Sequence, residues 1–365
     1  MKPPPQYFLL NDLLRATSRS FYLTMRILPL AIRPQISLAY LLARATDTIA
    51  DTEIIPVENR LKNLAQFRDR ILGTTDVPLD FGELANHQSL PAEKILLERC
   101  EDALKILSQF SEADQKEIRN VLKIIISGQE LDLQRFARLG QTPSSVDSLP
   151  QIKTNLGSTE SRPTELKIIA LADDSELDDY TYRVAGCVGE FWTKMCRAHL
   201  FPKENLDDKF LIANGIRFGK GLQFVNILRD LPKDLRQGRC YIPQENLHAI
   251  GLQPIGLLSP LNGKCFHPLF QKYLDQAESH LAAGWEYTNA LPAIQVRLRL
   301  ACAWPILIGI KTLRKLRDGN ILDPAQRIKI SRAEVRQIVI RSILSHPRRS
   351  AWERQFQKIV DGKES

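Results

Sequence analysis

The sequence predicts a single all-α domain over residues 1–365, many helices gathered around a central cavity, and three observations carry that prediction. Apolar residues recur at helical spacing through long stretches such as ILLERCEDALKILSQF and KEIRNVLKIIISGQELDL. With 44% hydrophobic residues and only 18 Gly in 365, the chain has the composition of an ordinary soluble protein long enough to bury a sizeable core. Finally, the aspartate pairs Asp47/Asp51 and Asp230/Asp234 are each spaced i, i+4, which on a helix puts both carboxylates on one face.

Taken in order, NDLLRATSRSFYLTMRILPLAI (11–32) has apolar residues at mixed helical spacing and is expected to end or kink at Pro29. Pro34 suits a first helical turn, so the helix carrying Tyr40, Arg44, Asp47 and Asp51 is expected to start there, with Ile36, Ala39 and Ala43 on its inner side. The helical stretches between Val57 and Gln129 read as core, separated by the turn-rich DVPLDFGELANHQSLP. Residues 140–164, rich in Ser, Thr, Pro, Gly and Asn, lack an apolar period and read as a flexible insertion. In DDYTYRVAGCVGEFW, Gly186 and Gly189 each cost about 1 kcal/mol against Ala, so their place in a helix implies close approach by another helix or a ligand. ACAWPILIGI (301–310) is far short of the roughly 20 residues of a membrane span and reads as a buried helix interrupted by Pro305. The stretch after Ser345 is polar and basic.

The densest chemistry lies in GLQFVNILRDLPKDLRQGRCYIP (221–243). Gln223, Asn226, Asp230 and Asp234 fall at i, i+3, i+7 and i+11, stacking two amides and two carboxylates along one side, while Leu222, Val225 and Leu228 point elsewhere. Arg229, Lys233, Arg236 and Arg239 adjoin them and suit diphosphate oxygens. With 42 acids in 365 residues, chance yields about five acidic i, i+4 pairs, so a single pair decides nothing. The second pair, with Tyr40 and Arg44 on its face and no Lys within it, makes two such faces. Two like charges on a helix repel by a few tenths of a kcal/mol, and a divalent cation relieves them; hard Mg²⁺ prefers these oxygens and commonly bridges to phosphates.

Composition narrows the partners. The formal net charge of +8 favours anions: diphosphates, a phosphorylated cofactor or an acidic membrane surface. No nucleic-acid-binding signature is present, and the basic residues of the central stretch alternate with carboxylates, so no nucleic-acid partner is expected. Six Cys without a CxxC and a start, MKPPPQYF, without an apolar signal region point to free thiols in a reducing cytoplasm. Six scattered His without HExxH argue against zinc.

Four motifs together resemble those of the squalene/phytoene synthase family, in the family's order: SRSFYL (18–23), DTIAD (47–51), YRVAGCVGEF (182–191) and LQFVNILRDLPKD (222–234). The resemblance spans most of the first 243 residues and extends more weakly to about residue 335. It implies an isoprenoid-synthase-type bundle that joins two farnesyl diphosphates head to head, with Mg²⁺ held by Asp47, Asp51, Asp230 and Asp234. Arg19 and Ser20 then become diphosphate contacts, Phe21 an aromatic wall, and Tyr40, Arg44, Gln223, Asn226 and Arg229 substrate-binding residues. The family's catalytic tyrosine stands four residues before the VAG valine, which is Tyr180 here and not Tyr182. Glu130 and Asp132 resemble a segment near the family's site, or form an ordinary helix end.

RIKISRAEV (327–335) resembles a basic segment of the squalene-forming eukaryotic members, which implies NADPH-dependent reduction of presqualene diphosphate to squalene with Lys329 and Arg332 as cofactor contacts. Ser331 replaces an Arg of that segment. Pro232, together with Lys233 in place of an acid, is expected to disturb the alignment of Asp234 with Asp230. The rival readings are a phytoene or dehydrosqualene synthase without reduction and a non-catalytic scaffold, against which the four uncompensated carboxylates argue.

Overall fold

The computed structural model describes residues 7–18, 22–136, 167–326 and 328–363. A π-helical turn, Phe8–Leu13, leads into a short helix, Leu14–Ser18, and another follows at Tyr22–Ile27. Pro29 lies in the turn beyond it, as its fixed φ predicts. Helix α1, Arg33–Asp51, carries Pro34 in its first turn and buries Ile36 and Ala39. Next come α2, Val57–Leu72, closed by Gly73, and the long α3, Glu112–Phe136. These helices and those between them pack around one apolar core.

Beyond the insertion, which lies outside the described residues, strand β1, Ile169–Ala170, precedes α4, Asp174–Thr181. Asp173 caps α4 by accepting from the Glu176 amide. A π-helical turn, Tyr182–Gly186, joins α4 to α5, Cys187–His199. Helix α6, Asp208–Arg236, is capped by Asp207 and lies against α5 through glycines. A Cβ at Gly189 would meet the Gly215 carbonyl oxygen at 1.8 Å, and one at Gly219 the Ala185 carbonyl oxygen at 2.1 Å. The two segments touch backbone to backbone, so the helical glycines serve packing.

The α6 helix continues through Pro232 without a break, contrary to the expected disturbance. Pro232 forgoes its own backbone bond to the preceding turn, and the fully buried Leu231 and Leu235 hold the helix against the core. Gly238, with φ +77, then reverses the chain as only glycine does cheaply, its amide donating to the Leu235 carbonyl. Strand β2, Arg239–Cys240, thereby pairs in parallel with β1, placing Ile169 opposite Arg239. This two-stranded ladder is a small addition to the expected all-α fold.

The second core forms around α6, α7 (Gly263–Ala290) and α8 (Val296–Asp318), with α9 (Arg332–Ser345) and α10 (Arg349–Val360) outside. ACAWPILIGI is the buried part of α8, which runs through Pro305 uninterrupted. No helix among the described residues is long and apolar enough to cross a membrane.

Candidate active site

A cavity of about 890 Å³ opens between the two cores. Helix α1 contributes Tyr40, Arg44, Asp47 and Asp51, and α3 contributes Gln129, Asp132 and Phe136. Tyr180, Val184 and Val188 line it from α4 through the π-helical turn into α5. The wider turn keeps residues four apart on one side, and such turns often mark functional sites. Gln223 comes from α6, while Arg239 and Tyr241 are brought in by the Gly238 turn and β2.

The first acid pair sits in the α1 wall. Arg44 grips Asp47 with one nitrogen and Glu93 with the other. Even so, partial burial and then repulsion from Asp51 push Asp47 up to about 7. Asp51, at the mouth, is also raised by burial, against the pull of Arg239, Arg44 and Lys233.

The second pair is not part of the cavity wall, but Asp234 lies within electrostatic reach of Arg239 and Asp132, which are. Arg229 clasps its neighbour Asp230 with two hydrogen bonds, Nε to Oδ1 at 2.9 Å and Nη2 to Oδ2 at 2.6 Å. Asp234 lacks such a partner: burial and then repulsion from Asp230 push it to about 7, against the pull of Lys233 and Arg239. One acid of each pair acts on Tyr180, whose phenol is raised well above its ordinary value by burial and then by Asp132, with Asp234 and Asp47 adding to it.

Between the pairs lies an arrangement that the motif spacing did not predict. Tyr180 and Tyr241 stack with ring centroids 4.6 Å apart and planes 24° from parallel. The Tyr241 hydroxyl donates to Asp132 Oδ2 at 2.6 Å, while the buried Asp132 Oδ1 accepts no hydrogen bond among the described residues and lies 3.8 Å from Arg135 Nη1. Burial raises Asp132 to about 6. Gln223 Nε2 reaches the Tyr180 hydroxyl at 3.5 Å. Glu130, three helix positions from Ser127 and turned away, pairs with Arg68 at 2.6 Å. Of the two acids left open by the sequence, Asp132 thus belongs to the cavity. The detectable sign was a carboxylate sharing the helix face of Ile125 and Phe136.

Other expectations fare differently. Tyr182 turns away from the cavity: its hydroxyl donates to Glu190 at 3.2 Å in a separate crevice with Cys187 and Lys194. Asn226 is exposed, donates to Gln223 at 3.4 Å and does not line the cavity. Lys329 and Arg332 are exposed and do not line the cavity; the Ser331 that departs from the basic segment is the N-cap of α9, in a reciprocal box with Glu334. That cap turns the backbone into α9 and fixes the pair on the outer surface. Arg19, Ser20 and Phe21 lie outside the described residues.

Among the described residues no three acids, His or Cys stand close enough to hold a metal by themselves. The all-oxygen donor set nonetheless suits Mg²⁺, which keeps waters and takes phosphate oxygens, so two ligands from each pair suffice. Raised Asp47 and Asp234, and a buried Asp132 oxygen that accepts no hydrogen bond among the described residues, mark negative charge that a cation would relieve.

Residues 14–334 match the model of the squalene/phytoene synthase family. The chain belongs to that family. Among curated relatives it is similar to a bifunctional lycopene cyclase/phytoene synthase of Blakeslea trispora, 27% identical over 82% of this chain and spanning 43% of that protein's length. It is also similar to a presqualene diphosphate synthase of Sinorhizobium fredii, 27% identical over 77% of this chain and 78% of the relative. A third is a squalene synthase of Schizosaccharomyces pombe, 25% identical over 91% of this chain and 64% of the relative. Among solved structures, ligand-bound TcSQS superposes with TM-score 0.73 at 21% identity, covering 99% of this chain and 92% of that one, which establishes the shared all-α fold.

Proposed function

We propose that the protein is a prenyltransferase that joins two farnesyl diphosphates head to head into presqualene diphosphate. The observation that carries this reading is a cavity lined by Asp47 and Asp51 of α1 beside Arg44 and Arg239, with Asp234 of the second acid pair within electrostatic reach of its Tyr180, Asp132 and Arg239. Mg²⁺ held by Asp47 and Asp51 and by Asp230 and Asp234 would add positive charge against the departing diphosphate.

The protein's own groups have defined tasks. Arg44 and Arg239 offer guanidinium donors to diphosphate oxygens, and Arg229 must leave Asp230 or share it for that carboxylate to serve. Ile125, Leu133, Val184 and Val188 give the prenyl chains an apolar lining and exclude water that would quench an allyl cation. The rings of Tyr40, Phe136, Tyr180 and Tyr241 supply π faces to such a cation. Tyr180, raised in pKa, stays a neutral phenol and is a poor base. Its role is therefore to donate a hydrogen bond to the released diphosphate, which accepts the proton lost when the second molecule's double bond closes the cyclopropane.

A second stage, reduction of presqualene diphosphate to squalene by NADPH, is favoured by the similarity to a squalene synthase over 91% of the chain. Purified protein incubated with farnesyl diphosphate and Mg²⁺, with and without NADPH, tests both stages by mass spectrometry. Presqualene diphosphate without NADPH and squalene only with it are expected. A parallel incubation with a twenty-carbon prenyl diphosphate that turns over where farnesyl diphosphate does not would overturn the first stage, and dehydrosqualene as the sole product with NADPH present the second; absence of turnover with either substrate would favour a scaffold.

A further inference from the structure

The geometry points to the outer face of α9 and α10 as a docking surface for an anionic lipid bilayer. Helix α9 is apolar on two sides. Ile338 and Ser342 face inward, whereas Ile340, Ile343 and Leu344 share the opposite face and are exposed, Leu344 to 71%. A solvent helix ordinarily keeps one apolar stripe, so a second one implies a further apolar neighbour. Beside it runs a groove of about 300 Å³, floored by Ile338 and Ile359 and rimmed by Arg341, Arg348, Lys358 and Lys363 with no acid.

Charge selects the occupant. Between Ile328 and Lys363 the sequence holds nine Lys and Arg against three Asp and Glu, so this segment accounts for six of the eight net positive charges. Each acid there is already satisfied: Glu334 by Lys315 at 2.8 Å, Glu353 by Arg349 at 2.8 Å, and Asp361 by Lys363 at 3.3 Å. A second copy on a two-fold axis would press this basic rim against itself, and a nucleic acid would leave the isoleucines and Leu344 in water. A bilayer with acidic headgroups matches both the cations and the apolar residues between them. The surface is held rigidly, since Trp304 donates to Ser342 Oγ at 2.8 Å and Trp352 to Asn289 at 2.7 Å. This surface is separate from the cavity, and the inference stands whatever chemistry the cavity performs.

The test is co-flotation of the full chain with phosphatidylcholine vesicles, with and without phosphatidylglycerol. Binding is expected only to the anionic vesicles and is expected to fade as salt is raised. Each Lys or Arg near such a surface is worth about fivefold in partitioning, so Arg341→Gln/Arg348→Gln/Lys358→Gln should bind about a hundredfold more weakly. Leu344→Asp should also lose binding, with far-UV spectra and cavity-dependent turnover unchanged in both variants. Equal binding to neutral vesicles, salt-insensitive binding, or unchanged binding by Leu344→Asp would overturn the inference. So would a concentration-dependent dimer abolished by Leu344→Asp. The salt titration of the unaltered chain tests the charge requirement even if the triple variant unfolds.

Discussion

Replacing Asp132 by Asn should make the protein more stable and less active. Asp132 is largely buried, raised from its ordinary 3.8 to about 6, with one oxygen bonded by Tyr241 and the other lacking a hydrogen bond. A carboxyl whose folded pKa lies above its unfolded one disfavours the fold once ionised. The cost starts as pH passes 3.8 and is complete above about 6, where it amounts to about 3 kcal/mol. Asn removes that cost but weakens the bond from Tyr241 by about 1 kcal/mol, leaving a gain of about 2 kcal/mol. For a chain of 365 residues, an unfolding entropy of about 2 cal/mol/K per residue turns this into a rise in Tm of about 2–3 °C near pH 7.5. Near pH 4 the gain should vanish. Thermal melts of both proteins across this range, without metal, give the answer. Tm curves that stay parallel from pH 4 to pH 7.5, or a variant less stable at the higher pH, would refute a strained buried carboxylate. Turnover of farnesyl diphosphate should fall, because the group that orients Tyr241 against Tyr180 has lost its charge.

Tyr180→Phe should slow presqualene diphosphate formation while Tyr182→Phe leaves it near normal, because only the first hydroxyl faces the cavity; steady-state rates showing the reverse would reassign the role. Asp47→Asn should abolish Mg²⁺-dependent turnover with the far-UV spectrum preserved, since it lies in the cavity wall and not in a core; retained turnover would remove it from the clamp. Gly189→Ala should destabilise by about 3 kcal/mol or more, read as a Tm lower by at least about 4 °C, because its Cβ would overlap the Gly215 carbonyl oxygen and neither backbone can yield cheaply.

What could be read from the sequence was what neighbouring residues determine. The i, i+4 aspartates, the start of α1 at Pro34 and the packing glycines depend on helical spacing, and the geometry agrees with each; the motif offset that singles out Tyr180 picks a residue that lines the cavity, where Tyr182 does not. What escaped depends on contacts between distant segments. Arg44 is shared with Glu93, which stands 49 residues away, and Tyr241 meets Asp132 across 109. Arg239 enters the cavity only because β2 pairs with β1 on the far side of α6. Pro232 misled because local rules weigh a lost hydrogen bond without the burial of Leu231 and Leu235. That Lys329 and Arg332 are exposed was not legible, because a basic run looks the same in sequence whether it faces a cavity or solvent.

The most direct measurement is calorimetric titration of a non-ionisable farnesyl diphosphate analogue into the protein, with and without Mg²⁺, for the unaltered chain, Asp47→Asn and Asp234→Asn. If both acid pairs hold one diphosphate through cations, tight binding requires Mg²⁺ and is lost in each variant. Binding of equal strength without Mg²⁺, or unaffected by either substitution, would contradict the clamp.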